Sequence, residues 1–152
     1  MKLSEFIKQE EFASAAQKAL LNVLVSSSWV MSELSSMMNE FSITPAQYNV
    51  LRILNGSHPD KLTCSDIGDR LLDRTPDVTR LLNRLEERAL VVRQRADHDR
   101  RVVEVGITGE GRNLLSRMAP HVEATQERLT RHLTEEERVQ LSHLLEKLRR
   151  DQ

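Results

Sequence analysis

Apolar residues near the start of the chain recur at steps of three and four. Leu20, Val23, Leu24, Met31, Leu34, Met38 and Phe41 fall on one stripe, which predicts one long helix over the first forty residues, frayed or broken before Phe12. A second stripe, Leu21, Val25 and Trp29, lies toward the opposite side at ~100° per residue. A helix that is apolar on two sides needs cover on two sides. Its own fold can supply one cover and a separate body the other.

Beyond this helix, start signals follow one another at short intervals. Thr44 can cap, Pro45 suits a first helical position and Gln47 can complete a capping box. The helix they open runs through Tyr48, Val50, Leu51 and Leu54 and stops near Asn55-Gly56, with Pro59 beyond. Thr63 and Asp66 form the next box, Leu62 and Ile67 sit at the positions of a hydrophobic staple, and Leu71 and Leu72 close that helix. The turn Asp73-Arg74 leads to Thr75-Pro76, read as a cap followed by proline at the first helical position. From Thr75 the helix buries Val78, Leu81, Leu82 and Leu85.

The pattern then changes period. Val91 to Arg95 and Arg101 to Ile107 are β-rich runs, and the polar stretch Ala96 to Arg100 between them predicts a hairpin. Thr108 caps a long helix past Leu114, Leu115 and Met118 to about Leu133. Thr134 with Glu137 starts a final helix carrying Leu141, Leu144, Leu145 and Leu148. The fold class expected is mainly α with a small β-hairpin wing, a winged helix-turn-helix with helices at both ends. No internal repeat or low-complexity tract interrupts it.

Composition refines this picture. The 152 residues suffice for one domain with a core, and 39% hydrophobic with 30% charged content suits a helix-rich protein with much solvated surface. No apolar run approaches the ~18–20 residues of a membrane helix, and the acids in the first twelve positions give no export signal. A single cysteine cannot form an intrachain disulfide, which favours the reducing cytoplasm. Net charge is −1, and residues 61–108 hold ten Lys/Arg against nine Asp/Glu. Total charge is therefore silent on nucleic acid, and the positions of the arginines must decide.

With the apolar set of the Thr75–Arg88 helix turned inward, Pro76, Arg80, Asn83 and Glu87 lie within about 40° of the outward direction. Thr79, Asp77 and Arg84 flank them. Arg80 can pair with guanine, Asn83 with adenine, and Thr79 can reach a base or a phosphate. The helix N-terminus attracts phosphate, whereas Asp77 opposes it and can instead accept from a cytosine amino group. An ordinary amphipathic helix with a solvated charged face fits the same residues. The hairpin adds Arg93, Arg95, Arg100 and Arg101, with Asp99 two positions from Arg101. An arginine held by a nearby carboxylate keeps the fixed direction that entry into a narrow minor groove requires.

The segment from Thr44 to Gly111 resembles the MarR family of bacterial transcriptional regulators. DRTPDVTRLLNRLEERALV is similar to that family's recognition helix, and DRRVVEVGITGEG to its wing motif, an Asp-x-Arg followed by a strand and a Thr-x-x-Gly. The resemblance implies a homodimer joined through its terminal helices, with 1–42 and 109–152 as the dimerisation region and 43–108 as the DNA-binding lobe of a single domain. It makes Asp99 and Arg101 the wing pair, Arg101 the minor-groove arginine, and places Pro76, Asp77, Thr79, Arg80 and Arg84 at recognition-helix positions. The chain departs from the family at Ala89, where glycine usually follows the recognition helix. The family commonly binds small aromatic or lipophilic anions between the dimerisation helices and the DNA-binding lobe. Trp29, Met37, Met38 and Tyr48 could line such a pocket, or could be plain core or interface side chains.

Other candidates carry less. Cys64, at the first turn of a helix, is either a reactive thiol or a small buried one. His121, His132 and His143 recur every eleven residues on one helix face, yet no Cys or second close histidine completes a four-ligand metal set. No Ser/His/Asp order, glycine-rich phosphate loop or CxxC is present, which argues against an enzyme, and no cofactor is expected. With aromatics at 3%, a single-strand binder lacks stacking platforms. The expected function is a DNA-binding regulator of double-stranded, pseudo-palindromic sites, a repressor released by a small-molecule or stress signal. A winged-helix dimer serving as a protein adaptor is the alternative.

Overall fold

The computed structural model describes residues 2–73, 77–96, 99 and 101–150. Its elements run α1 (Leu3–Ile7), α2 (Ala15–Asn39), α3 (Pro45–Ser57), β1 (Leu62–Thr63), α4 (Cys64–Arg70), α5 (Val78–Glu87), β2 (Val91–Arg95), β3 (Val103–Ile107), α6 (Gly109–Thr130) and α7 (Glu135–Leu148). The break expected before Phe12 divides the first forty residues into two helices. Lys8 in the left-handed region ends α1, and Ser14 opens α2 by accepting from the Gln17 backbone N–H.

Four threonines set the starts of α3, α4, α6 and α7. Thr44 and Gln47 form the expected capping box of α3, Thr63 and Asp66 that of α4, and Thr134 and Glu137 that of α7. Each box satisfies N–H groups that a helix start leaves without intrahelical partners. The side-chain hydroxyl of Thr63, then its backbone N–H, hold the Asp66 carboxyl below its ordinary pKa. Thr108 caps α6 by accepting from the Gly111 N–H at 3.0 Å.

The strands form one antiparallel sheet in the order β1-β3-β2, with Leu62 opposite Val105 and Arg93 opposite Val105 on its other side. Strand β1 is absent from the sequence reading, because two residues carry no period of their own and depend on the distant β3 for pairing. The sheet, α3, α4 and α5 close a core of Val50, Leu51, Leu54, Ile67, Leu82, Leu85 and Val105, all fully buried. Met38, Leu114 and Met118 extend it to the packing of α2 on α6. Of the two leucines that follow α4, Leu71 is buried and Leu72 is 91% exposed. The chain turns extended at Leu71 (ψ 139°), and successive side chains of an extended chain face opposite ways.

Most of α2 has no cover among the described residues. Leu20, Leu24, Trp29 and Met31 are exposed, as are Val139, Leu141, Leu144 and Leu148 on α7. Both terminal regions thus leave large apolar side chains in contact with water, a cost of about 25 cal/mol per Å² until something covers them.

Candidate nucleic-acid interface

Helix α5 begins later than the sequence suggests. Its N-cap is Asp77, not Thr75, and its first residue is Val78. Asp77 is extended (φ −67°, ψ 105°), and its Oδ1 accepts from the backbone N–H groups of Thr79 at 2.9 Å and Arg80 at 3.3 Å. An aspartate at this place answers two N–H groups at once and complements the positive helix end. Asp77, a candidate acceptor for a cytosine amino group by its sequence position, is therefore engaged as a cap through Oδ1. Thr75, Pro76 and Arg100 lie outside the described residues.

The faces of α5 divide as expected. Leu82 and Leu85 are fully buried, with Val78 and Leu81 packed against the core beside them. Asp77, Thr79, Arg80, Asn83, Arg84 and Glu87 are exposed. Arg84 meets Glu87 at 3.6 Å, a solvated ion pair worth little to stability. The guanidinium of Arg80 makes no hydrogen bond or ion pair among the described residues and is available to a ligand.

Helix α5 ends in a Schellman turn. The Leu90 N–H donates to the Leu85 carbonyl at 3.0 Å and the Ala89 N–H to the Glu86 carbonyl at 2.8 Å, with Ala89 at φ 54°. This is the left-handed position that glycine fills without strain and alanine fills at a cost of up to ~1 kcal/mol. The Thr108 hydroxyl then donates to the Ala89 carbonyl at 2.7 Å, tying this turn to the start of α6. Gly111 makes that approach feasible. A Cβ there would overlap the Leu90 carbonyl oxygen and come within 2.8 Å of Ile107 Cγ1. The Thr-x-x-Gly of the wing motif is thus a packing joint between wing and helix.

At the hairpin tip the Asp99 carboxylate accepts from the Arg101 backbone N–H at 2.9 Å, and the Asp99 carbonyl accepts from the Val102 N–H at 2.9 Å. The carboxylate orders the turn from which Arg101 projects and acts on its backbone, not on the guanidinium that the Asp-x-Arg spacing suggests. Arg101 is exposed, and its guanidinium has no partner among the described residues.

Arg93 does not belong with these outward arginines. It lies two positions from buried Val91 on β2 and reaches back to α5, donating to Asn83 Oδ1 at 2.7 Å, Glu86 Oε2 at 3.1 Å and the Thr79 carbonyl at 3.3 Å. The alternation of a strand with Val91 inward carries this signal in the sequence, and it sets Arg93 apart from the arginines at the hairpin tip.

The four candidate ligand residues are spread through the fold. Met38 is buried in the core, Tyr48 packs half-buried against it, and Trp29 is 46% exposed. Met37 alone of the four lines a cavity of about 310 Å³ between α2 and α6, together with Glu33, Glu40, His121, Thr125 and Arg128. Arg128 meets Glu33 across it at 2.7 Å. Cys64 is half-buried against the core. No cluster of His, Cys, Asp or Glu among the described residues could hold a metal, and no described helix is long and apolar enough to cross a membrane.

Comparison with known proteins places this geometry. A family model described as the MarR family matches residues 41–102, the span from the end of α2 through the wing turn. The chain is 33% identical over 121 residues to the HTH-type transcriptional repressor MdtR of Bacillus subtilis (strain 168), covering 78% of this chain and 76% of that protein. Among solved structures it is similar to a MarR transcription factor from Planctomyces limnophilus, at 35% identity and a TM-score of 0.70, over 90% of this chain and 98% of that one. It is also similar to S. aureus MepR in complex with DNA, at 27% identity and a TM-score of 0.77, over 93% and 100% of the two chains.

Proposed function

Because the chain belongs to the MarR family of transcriptional regulators, we propose that it is a homodimeric, sequence-specific double-stranded DNA-binding repressor of the cytoplasm. The observation that carries this reading is the exposure, on one lobe, of Arg80 and Arg101 with guanidinium groups that no described residue engages. Helix α5, buried through Leu82 and Leu85, presents Thr79, Arg80, Asn83 and Arg84 to the major groove. The Asp99 turn presents Arg101 to the minor groove. Thr75, Pro76 and Arg100 join this surface by their place in the motif. The lobe spans 43–108, and the regions 1–42 and 109–152 pair with those of a second copy.

A two-fold dimer sets its recognition helices about one helical turn apart, ~34–36 Å, so the operator should be a pseudo-palindrome with half-sites ~10 bp apart. The effector, in this reading, enters the cavity between α2 and α6, where Met37 and Arg128 are among the walls. The deciding experiment is selection of bound sequences from a randomised duplex by the purified protein at near-physiological salt. An enriched palindrome with that spacing supports the reading. A folded, dimeric protein that enriches nothing refutes it and favours the adaptor.

A further inference from the structure

We propose that Arg93 is a positioning residue for DNA recognition, tying the wing to helix α5 and committing the Asn83 side chain to donating hydrogen bonds into the groove. The inference rests on the DNA-binding reading above and deepens it.

Strand register settles where Arg93 points. Val91 is buried, Arg93 follows it on the same face, and its partner across the ladder is buried Val105. Its guanidinium can reach the Thr79 carbonyl, Asn83 and Glu86 because these lie at steps of three and four along α5. One arginine thereby joins two turns of the helix to the root of the hairpin. A guanidinium is all donors, so only the oxygen of the Asn83 amide can face it at 2.7 Å. The usual ambiguity between amide oxygen and nitrogen is removed by this chemistry.

The consequence is a restriction on what Asn83 reads. Bidentate recognition of adenine needs the amide to accept from N6 while donating to N7. With one lone pair of Oδ1 bonded to Arg93 and that oxygen turned toward the wing, the exposed Asn83 offers the ligand chiefly its two Nδ2 donors. Donors suit purine N7, guanine O6, thymine O4 or a phosphate oxygen, and they do not single out adenine. The arginine that looks like a groove contact in the sequence instead sets the hydrogen-bonding character of its neighbour.

Sequence selection with variants tests this. Asn83→Asp keeps an oxygen for Arg93 and deletes the donors, so the tie to the wing survives while the preference at one base position per half-site should be lost. An unchanged consensus overturns the proposal, as does a wild-type consensus strictly adenine at the position that Asn83→Ala relaxes. Arg93→Met should weaken operator binding roughly tenfold. The slope of log affinity against log salt should stay unchanged, because no phosphate contact is lost. A slope lowered by about one would make Arg93 a direct phosphate contact and overturn the positioning role. A wild-type protein that selects no sequence fails before any variant is made, and takes the DNA-binding reading down together with this one.

Discussion

Arg88 and Ser42, separated by 46 positions in the chain, are joined by a hydrogen bond from the Arg88 guanidinium to the Ser42 carbonyl oxygen. The second arm of the same guanidinium donates to the Phe41 carbonyl at 3.3 Å. The Phe41 ring meets His121 of α6 edge-on, with centroids 5.1 Å apart. The end of the recognition helix is thus fastened to the junction of α2 and α3, where Ser42 itself adopts φ 54°. Arg88→Ala should cost about 1 kcal/mol, the net worth of such exposed bonds, and Arg88→Lys should recover only part because an ammonium cannot fork. A urea titration reads this as a lower midpoint at unchanged slope. An unmoved midpoint would show the bond to be dispensable.

If Arg101 enters the groove as proposed, Arg101→Ala should weaken duplex binding by at least ~1 kcal/mol and lower the salt slope by about one, since a cation is removed from the DNA. Titrations at two salt concentrations check both. Equal affinity at each would exclude the wing from the interface.

Arg80 stands three residues past the cap of α5 with a guanidinium that no described residue engages. Arg80→Ala should relax preference at one base position by ~1–3 kcal/mol. If repeated selection returns the same consensus, Arg80 contacts only phosphate.

Ala89→Gly should raise stability by about 0.5–1 kcal/mol, because glycine occupies the left-handed position at φ 54° without strain. The opposite change at Gly111 should be severe. Gly111→Ala forces a methyl onto the Leu90 carbonyl and Ile107, and a loss of ~2 kcal/mol or more is expected. Thermal unfolding of the two variants should shift the midpoint in opposite directions.

The exposed apolar faces of α2 and α7 call for a second copy. Light scattering at micromolar concentration should give twice the chain mass, and Leu24→Glu, at a residue 65% exposed, should shift it toward the monomer without unfolding the lobe. A monomeric wild type would contradict the dimer.

Much of this fold was readable from local chemistry. Thr44, Thr63, Thr108 and Thr134 each announce a helix, since a cap needs only residues within one turn of itself. The inward set Val78, Leu81, Leu82 and Leu85 follows from period alone. What escaped the sequence depends on partners far along the chain or on a choice among neighbours. Thr75 and Asp77 are both competent caps, and only the completed turn shows Asp77 answering Thr79 and Arg80. Strand β1 exists because β3 lies beside it. Arg93 looks like every other wing arginine until the register turns it toward Asn83.

The Asp77 cap bears on how such a protein would behave among the millions of irrelevant sites on a chromosome. Its carboxylate occupies the place at the helix start where a passing phosphate would otherwise settle, and the surrounding segment carries nearly as many acids as bases. Attraction to arbitrary DNA, which is almost wholly electrostatic, is thereby kept weak. Occupancy of the operator is set by the ratio of specific to background affinity, weighted by the number of competitors. A protein that lingers little on the wrong sequence needs fewer copies to keep the right one occupied.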